Sequence, residues 1–172
     1  FNLRKGLIIG VVFLIMAAML LTGCKKEEET LSEGDKQITK EMDTVISDYI
    51  INKYASSYIQ TEKQFEVHKI YGSSESDGVI TVYMWSFFGG FNRSDGLEVQ
   101  TGHSLPAVIK LSKKEGGYEV TDYKEPQDGS EYSSSIKKLF PEKYIKQIHQ
   151  DTGNIGDLQQ EMDEKVKQWL DT

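Results

Sequence analysis

Val79-Ile80-Thr81-Val82-Tyr83-Met84-Trp85-Ser86-Phe87-Phe88 is the stretch on which the fold turns. Side chains alternate across an extended chain, so Ile80, Val82, Met84 and Phe88 share one face and Val79, Tyr83, Trp85 and Phe87 the other. A strand that is apolar on both sides is central in its sheet, or turns one face to a partner. Working outward, Phe65, Val67 and Lys69 alternate with Glu66, His68 and Ile70 in a preceding strand, followed by a turn-rich Gly72–Gly78. On the other side, Gly89-Gly90 is expected to interrupt the central strand, with a polar loop running to His103. Leu105, Ala107, Ile109 and Leu111 then share a face of a third strand. Lys114-Glu115-Gly116-Gly117 is a hairpin turn into Tyr118, Val120 and Asp122, which alternate with Glu119, Thr121 and Tyr123.

The flanks read as helices. From about residue 36 to 60, Ile38, Met42, Val45, Ile46, Tyr49, Ile50, Tyr54 and Ile59 recur in steps of three and four, which predicts an amphipathic helix. After the strands, Gln127-Asp128-Gly129-Ser130 is a turn, and Ser133 or Ser134 caps a short helix through Phe140. Pro141 opens another to about Gln150, since proline suits a first helical turn. The break at Gly153–Gly156 precedes a last helix from Asp157 to Leu170. One helix, an antiparallel sheet of about four strands and C-terminal helices make an α+β domain, with cystatin-like or NTF2-like folds as possible forms.

The opening of the chain stands apart. Arg4 and Lys5 are followed by an apolar run from Gly6 to Leu21, which is short for a bilayer span of roughly 20 residues and fits a signal peptide. It closes on Leu21-Thr22-Gly23-Cys24, which resembles the bacterial lipobox: an aliphatic residue, two small residues and the cysteine whose thiol takes a diacylglycerol. The expected organisation is a lipoprotein signal peptide over 1–23, a lipidated, charged tether over 24–35 and a single domain over 36–172. Cys24 is the sole cysteine, so it has no disulfide partner within the chain. Two acyl chains, each buried methylene adding roughly 0.8 kcal/mol, give stable anchoring where one does not. That predicts a lipid anchor, such as palmitate, on the outer face of the cytoplasmic membrane. Removing Arg4 and Lys5 from the 20 basic residues leaves 18 against 27 acids, a net charge of −9. Such a surface repels nucleic acid, so no nucleic-acid partner is expected.

Tyr118-Glu-Val-Thr-Asp-Tyr-Lys-Glu-Pro-Gln-Asp-Gly-Ser-Glu-Tyr-Ser-Ser-Ser-Ile-Lys-Lys-Leu-Phe-Pro141 resembles a segment of Firmicutes extracytoplasmic modules, including tails of antirepressor-type membrane metallopeptidases. Trp85–Phe91 with Gly102-His103-Ser104 fits the same pattern. The resemblance implies an extracytoplasmic module of unassigned activity. It brings no protease chemistry, because His-Glu-x-x-His does not occur.

Three histidines are the candidates for acid–base or metal chemistry. His68, opposite Val67, reads as a rim or surface side chain, and His149 sits in a polar helix beside Asp151. His103 enters a strand after a glycine-containing loop and is in reach of the Glu125–Asp128 turn, where imidazole and carboxylate make an acid–base pair or part of a metal site. Capping of the strand end is the plainer role for it. Glu125, Asp128 and Glu131 offer a carboxylate pair, although Asp-Gly more simply marks a turn. No Gly-x-Ser-x-Gly elbow or phosphate-cradling glycine loop is present, and neither metal nor cofactor is expected. The aromatic group of Tyr83, Trp85, Phe87, Phe88 and Phe91 is either core or the lining of a pocket. The candidate binding surface is therefore Tyr83, Trp85, Phe87, His103, Glu125 and Asp128. Three functions stay open: a non-catalytic module binding an envelope protein or small ligand, an NTF2-like small-molecule-binding enzyme using His103 and a carboxylate, and a structural part of an envelope complex.

Overall fold

The computed structural model describes residues 30–172; the expected signal peptide, the lipobox and Cys24 lie outside the described residues. The fold is α+β, built on a five-stranded antiparallel meander in the order β1-β2-β3-β4-β5. Its strands are β1 (Leu31–Glu33), β2 (Lys63–Ser76), β3 (Val79–Phe91), β4 (Thr101–Lys114) and β5 (Gly117–Lys124). Helix α1 (Lys40–Tyr54) lies between β1 and β2, and α2 (Tyr132–Leu139), α3 (Glu142–Asp151) and α4 (Gly156–Leu170) follow β5. The expected count was about four strands. The fifth is β1, which comes from residues expected to belong to the tether and pairs Leu31, Ser32 and Glu33 with Ser74, Ser73 and Gly72.

The central strand is covered on both sides. Ile80, Val82, Met84 and Phe88 pack with Met42, Ile46 and Ile50 of α1 and with Ala107, Ile109 and Leu111 of β4. Tyr83, Trp85 and Phe87 pack on the opposite face against Ile136, Phe140, Tyr144, Ile148, Leu158, Met162 and Val166 of the C-terminal helices. Fully burying one such side chain contributes about 1.5–3 kcal/mol, so β3 ties both halves of the core together. The N-terminus of α1 is set by Thr39, whose hydroxyl accepts from the Met42 amide at 3.2 Å. Its C-terminus falls at Tyr54, short of the expected residue 60, because Ser57 N–H folds back onto the Tyr54 carbonyl.

Three further expectations about the strands are corrected. Gly72–Ser76 is strand rather than turn, because β1 and β3 pair with it from both sides; only Asp77 and Gly78, at φ 52° and 75°, make the turn. Gly89-Gly90 does not break β3, which runs on to Phe91 with Gly89 and Gly90 opposite Gly102 and Thr101. Glycine here serves close approach: a Cβ on Gly102 would meet the Phe88 carbonyl oxygen at 2.1 Å. In β5 a bulge between Lys110 and Leu111 of the pairing shifts the alternation. Tyr118, Val120 and Tyr123 thus all reach the α1 side, where strict alternation puts Asp122 with the first two.

Candidate functional site

Two polar clusters sit on the α1 side of the sheet. The first is at the end where β3 and β4 pair Phe88 with His103. The His103 ring stacks on Phe88 with centroids 5.5 Å apart and meets the edge of Tyr54 at 4.4 Å. Its Nδ1 lies 3.0 Å from the Tyr58 hydroxyl. Tyr58 follows α1 and lies over Phe88, with ring centroids 5.6 Å apart. Burial pushes the His103 imidazole below its ordinary pKa and outweighs the opposing pull of Glu125 and Glu66. The ring is therefore neutral at pH 7, and its Nε2 is buried with no hydrogen-bond partner.

Glu125 is near this corner, but its carboxylate is held by tyrosines. Tyr54 donates its hydroxyl to Glu125 Oε2, and Tyr123 donates to the same oxygen at 3.3 Å. Burial first, with hydrogen bonding between the two rings and the Glu125 charge adding to it, raises the pKa of Tyr123. Burial and the bond to Glu125 raise that of Tyr54. Both phenols stay protonated as donors. Asp128, at the other end of the predicted turn, is exposed and opens the short 3₁₀ turn Gly129–Glu131. The structure thus brings His103 and Glu125 into one aromatic corner without a direct bond, and leaves Asp128 outside it. Of the two ring nitrogens, Nδ1 is engaged by the Tyr58 hydroxyl and Nε2 is buried.

The second cluster differs from the sequence expectation. His68 is no rim residue: its side chain is 2% exposed, between α1 and the sheet. Its Nδ1 lies 3.1 Å from Glu66 Oε2, and its Nε2 is 3.2 Å from Asp43 Oδ1, a charge contact out of line for a hydrogen bond. Glu66 also accepts from Ser47 Oγ and Ser86 Oγ, both at 2.7 Å. Burial alone would push the His68 pKa down. The Glu66 charge and the contacts with both carboxylates outweigh it and hold the value up at about 10. Burial raises the Glu66 pKa, but the His68 cation and the two serine bonds win and leave it below the ordinary range. The result is a buried imidazolium between two carboxylates, with one serine from α1 and one from β3 completing the shell. One sequence signal pointed to it. Glu66 and His68 stand two apart on the same strand face as Ile70, which puts a carboxylate and an imidazole side by side.

The remaining candidates are core. Tyr83, Trp85 and Phe87 are 7%, 3% and 6% exposed, so they form no open binding surface, which corrects that reading in favour of the core alternative. Trp85 Nε1 donates to Ser104 Oγ at 2.7 Å. Its edge reaches a small recess of about 230 Å³ lined also by Lys69, Asp151, Ile155 and Gly156. There Lys69 Nζ binds both Asp151 oxygens, at 2.9 and 3.0 Å, and the Tyr71 hydroxyl donates to the same carboxylate at 2.8 Å. His149, in α3, is exposed. Among the described residues no cluster of three or more His, Cys, Asp or Glu side chains has metal-binding geometry, and no helix is long and apolar enough to cross a membrane. No family model matches the chain, and no curated protein and no solved structure matches it.

Proposed function

We propose that this protein is a lipid-anchored extracytoplasmic lipoprotein whose α+β domain is a non-catalytic interaction module. The observation that carries the reading is Leu21-Thr22-Gly23-Cys24 behind a charged start and an apolar run. A thiol at that point, followed at once by Lys25-Lys26-Glu27-Glu28-Glu29, suits a diacylglycerol anchor with a solvated tether after it. The resemblance of Tyr118–Pro141 to extracytoplasmic modules agrees with that location. The interior geometry favours binding over chemistry. The aromatic side chains of β3 are taken up in the core, the His103 Nε2 is buried, and its Nδ1 is engaged by the Tyr58 hydroxyl. An NTF2-like enzyme would need that imidazole open to a pocket with its carboxylate alongside. Here the carboxylate belongs to two tyrosines.

The test is metabolic labelling with an alkyne-bearing palmitate analogue, followed by membrane fractionation of the wild type and Cys24→Ala. The reading predicts that the wild type is labelled and sediments with membranes, and that Cys24→Ala is unlabelled and leaves the pellet. Equal partition of the two, without label on either, would refute the anchor.

A further inference from the structure

The edge of β2 carries more than the structure uses. β1 covers it only at Gly72–Ser74, and the chain then turns away at Gly34, at φ 62°, whose N–H bonds the Tyr71 carbonyl at 2.9 Å. At the other end Lys165 Nζ, from α4, donates to the Glu66 carbonyl at 3.0 Å. That bond shows which way the peptide groups point. In a strand the N–H and C=O of one residue face the same side, and alternate residues face opposite sides. If the Glu66 carbonyl points away from β3, so do the peptide groups of His68 and Ile70. The bulge at Tyr71, where the pairing steps from Ile70–Met84 to Gly72–Tyr83, is what lets β1 rejoin the same edge beyond them. Among the described residues, β1 pairs only with Gly72–Ser74, and no turn, loop or cap bond reaches the outward N–H and C=O of His68 and Ile70.

These bare peptide groups are not simply surface. They lie along an open cavity of about 580 Å³ between α1 and α4, lined by Gly34, Ile38, Asp43, His68, Ile70 and Glu161 among others. An added strand would find two different walls. Ile38 and Ile70 make the α1 side partly apolar. On the α4 side stands Glu161, half exposed and only loosely paired with Lys165 at 3.8 Å. Asp35 and the half-exposed Asp43 add negative charge; of the two lysines in the same lining, Lys69 is bound to Asp151 and Lys40 lies within electrostatic reach of Asp43, so the three carboxylates of the lining still outnumber its uncommitted ammonium. The whole chain carries −7.

We propose that the open edge of β2 at His68–Ile70 is a strand-addition site for a partner's extended segment, in which apolar side chains facing Ile38 and Ile70 alternate with basic side chains facing Glu161. Backbone pairing gives such an interaction its geometry and the alternating side chains its selectivity. An uncovered edge is normally blunted by charge or by a covering loop. Here β1 and Lys165 close its two ends and leave the middle. The proposal rests on the interaction-module reading and specifies the module's partner. It fails separately from the anchor, because exchange at two amides is blind to the chemistry of Cys24.

The experiment is hydrogen–deuterium exchange on the full chain in detergent micelles, with a blocked heptapeptide of alternating lysine and valine as probe. Three controls accompany it: the same peptide N-methylated at alternate residues, its glutamate-for-lysine counterpart, and the variant Glu161→Lys. Expected is slower exchange of the His68 and Ile70 amides with the lysine peptide, no protection with the N-methylated or acidic peptide, and affinity about tenfold weaker in Glu161→Lys. Glu161 is solvent-exposed, so the variant keeps the fold, which the exchange pattern of β3 verifies in the same run. The proposal is overturned if those amides are already protected without peptide, which means that the chain's own residues cover them. It is equally overturned if protection rises with protein concentration alone, which means a second copy. Protection elsewhere, no binding, or equal binding of the acidic peptide also overturns it.

Discussion

Glu66, His68 and Asp43 put an imidazolium where the sequence leads one to expect a surface histidine. A charge removed from water costs several kcal/mol unless its partners are well placed, and deleting one partner leaves the other uncompensated. His68→Leu should therefore cost about 3–5 kcal/mol, whereas adding Glu66→Met to it should recover most of the loss, since the pair is then replaced by apolar bulk. Urea denaturation of the two variants decides this; a double variant no more stable than the single would show that the pair is not a closed unit. The same group sets a pH dependence. Folded His68 keeps its proton up to about pH 10, while the unfolded chain releases it near the ordinary 6.5. Its contribution is therefore whole below 6.5 and is lost as pH rises through 10. Wild-type stability should fall between about pH 7 and 9.5, and the double variant should be flat across that window. A depressed Glu66 acts at the other end, its share being present above the unfolded carboxylate value and lost as pH falls. None of this was readable from His68 alone, because a strand pattern shows which face a residue takes but not that Asp43 of a distant helix arrives beside it.

At the scale of elements, the alternation and helical steps placed β3, β4, α1 and the C-terminal helices nearly as they stand. Those patterns come from burial, and burial is what the sequence writes most clearly. What stayed hidden were elements whose residues look polar. Ser73 and Ser74 read as turn, yet both are fully buried within β2, where β1 pairs with them and the Ser73 hydroxyl donates to Gln37 Oε1 at 3.2 Å. Tyr58 and Ile59 continue the helical spacing of α1 past its end, although one caps Phe88 and the other stands exposed. The bulges that bring Tyr71 and Tyr123 to their faces leave no mark in a single sequence. Gly72 marks the tightest of these junctions: a Cβ there would meet the Tyr144 hydroxyl at 2.0 Å and the Ser32 carbonyl oxygen at 2.3 Å. Gly72→Ala should cost about 1–3 kcal/mol as an overpacked contact. It should also speed exchange along β1 more than along β3. Unchanged thermal stability would mean that β1 and α3 are free to move off β2.

Over the whole molecule, the sheet is a shared wall. α1 covers one face and α2, α3 and α4 cover the other, so β3 has no face left over for a pocket. That is why the candidate surface of Tyr83, Trp85 and Phe87 closed into core while the uncommitted polar edge of β2 remained open. The two-sided cover of β3 was one of the two readings its ten-residue stretch allowed, and the α+β class came from the helical steps on either side of the strands. The edge was not legible, because an unpaired peptide group belongs to the backbone and carries no side-chain signature. In the proposed function, Cys24 is what joins the domain to a cellular place. The most direct measurement is the intact mass, with fragmentation of the N-terminal peptide, of the native protein extracted from membranes. The account predicts a chain beginning at Cys24 with a diacylglyceryl thioether on its sulfur. A native chain that retains Phe1–Gly23 with a free Cys24 thiol would contradict it.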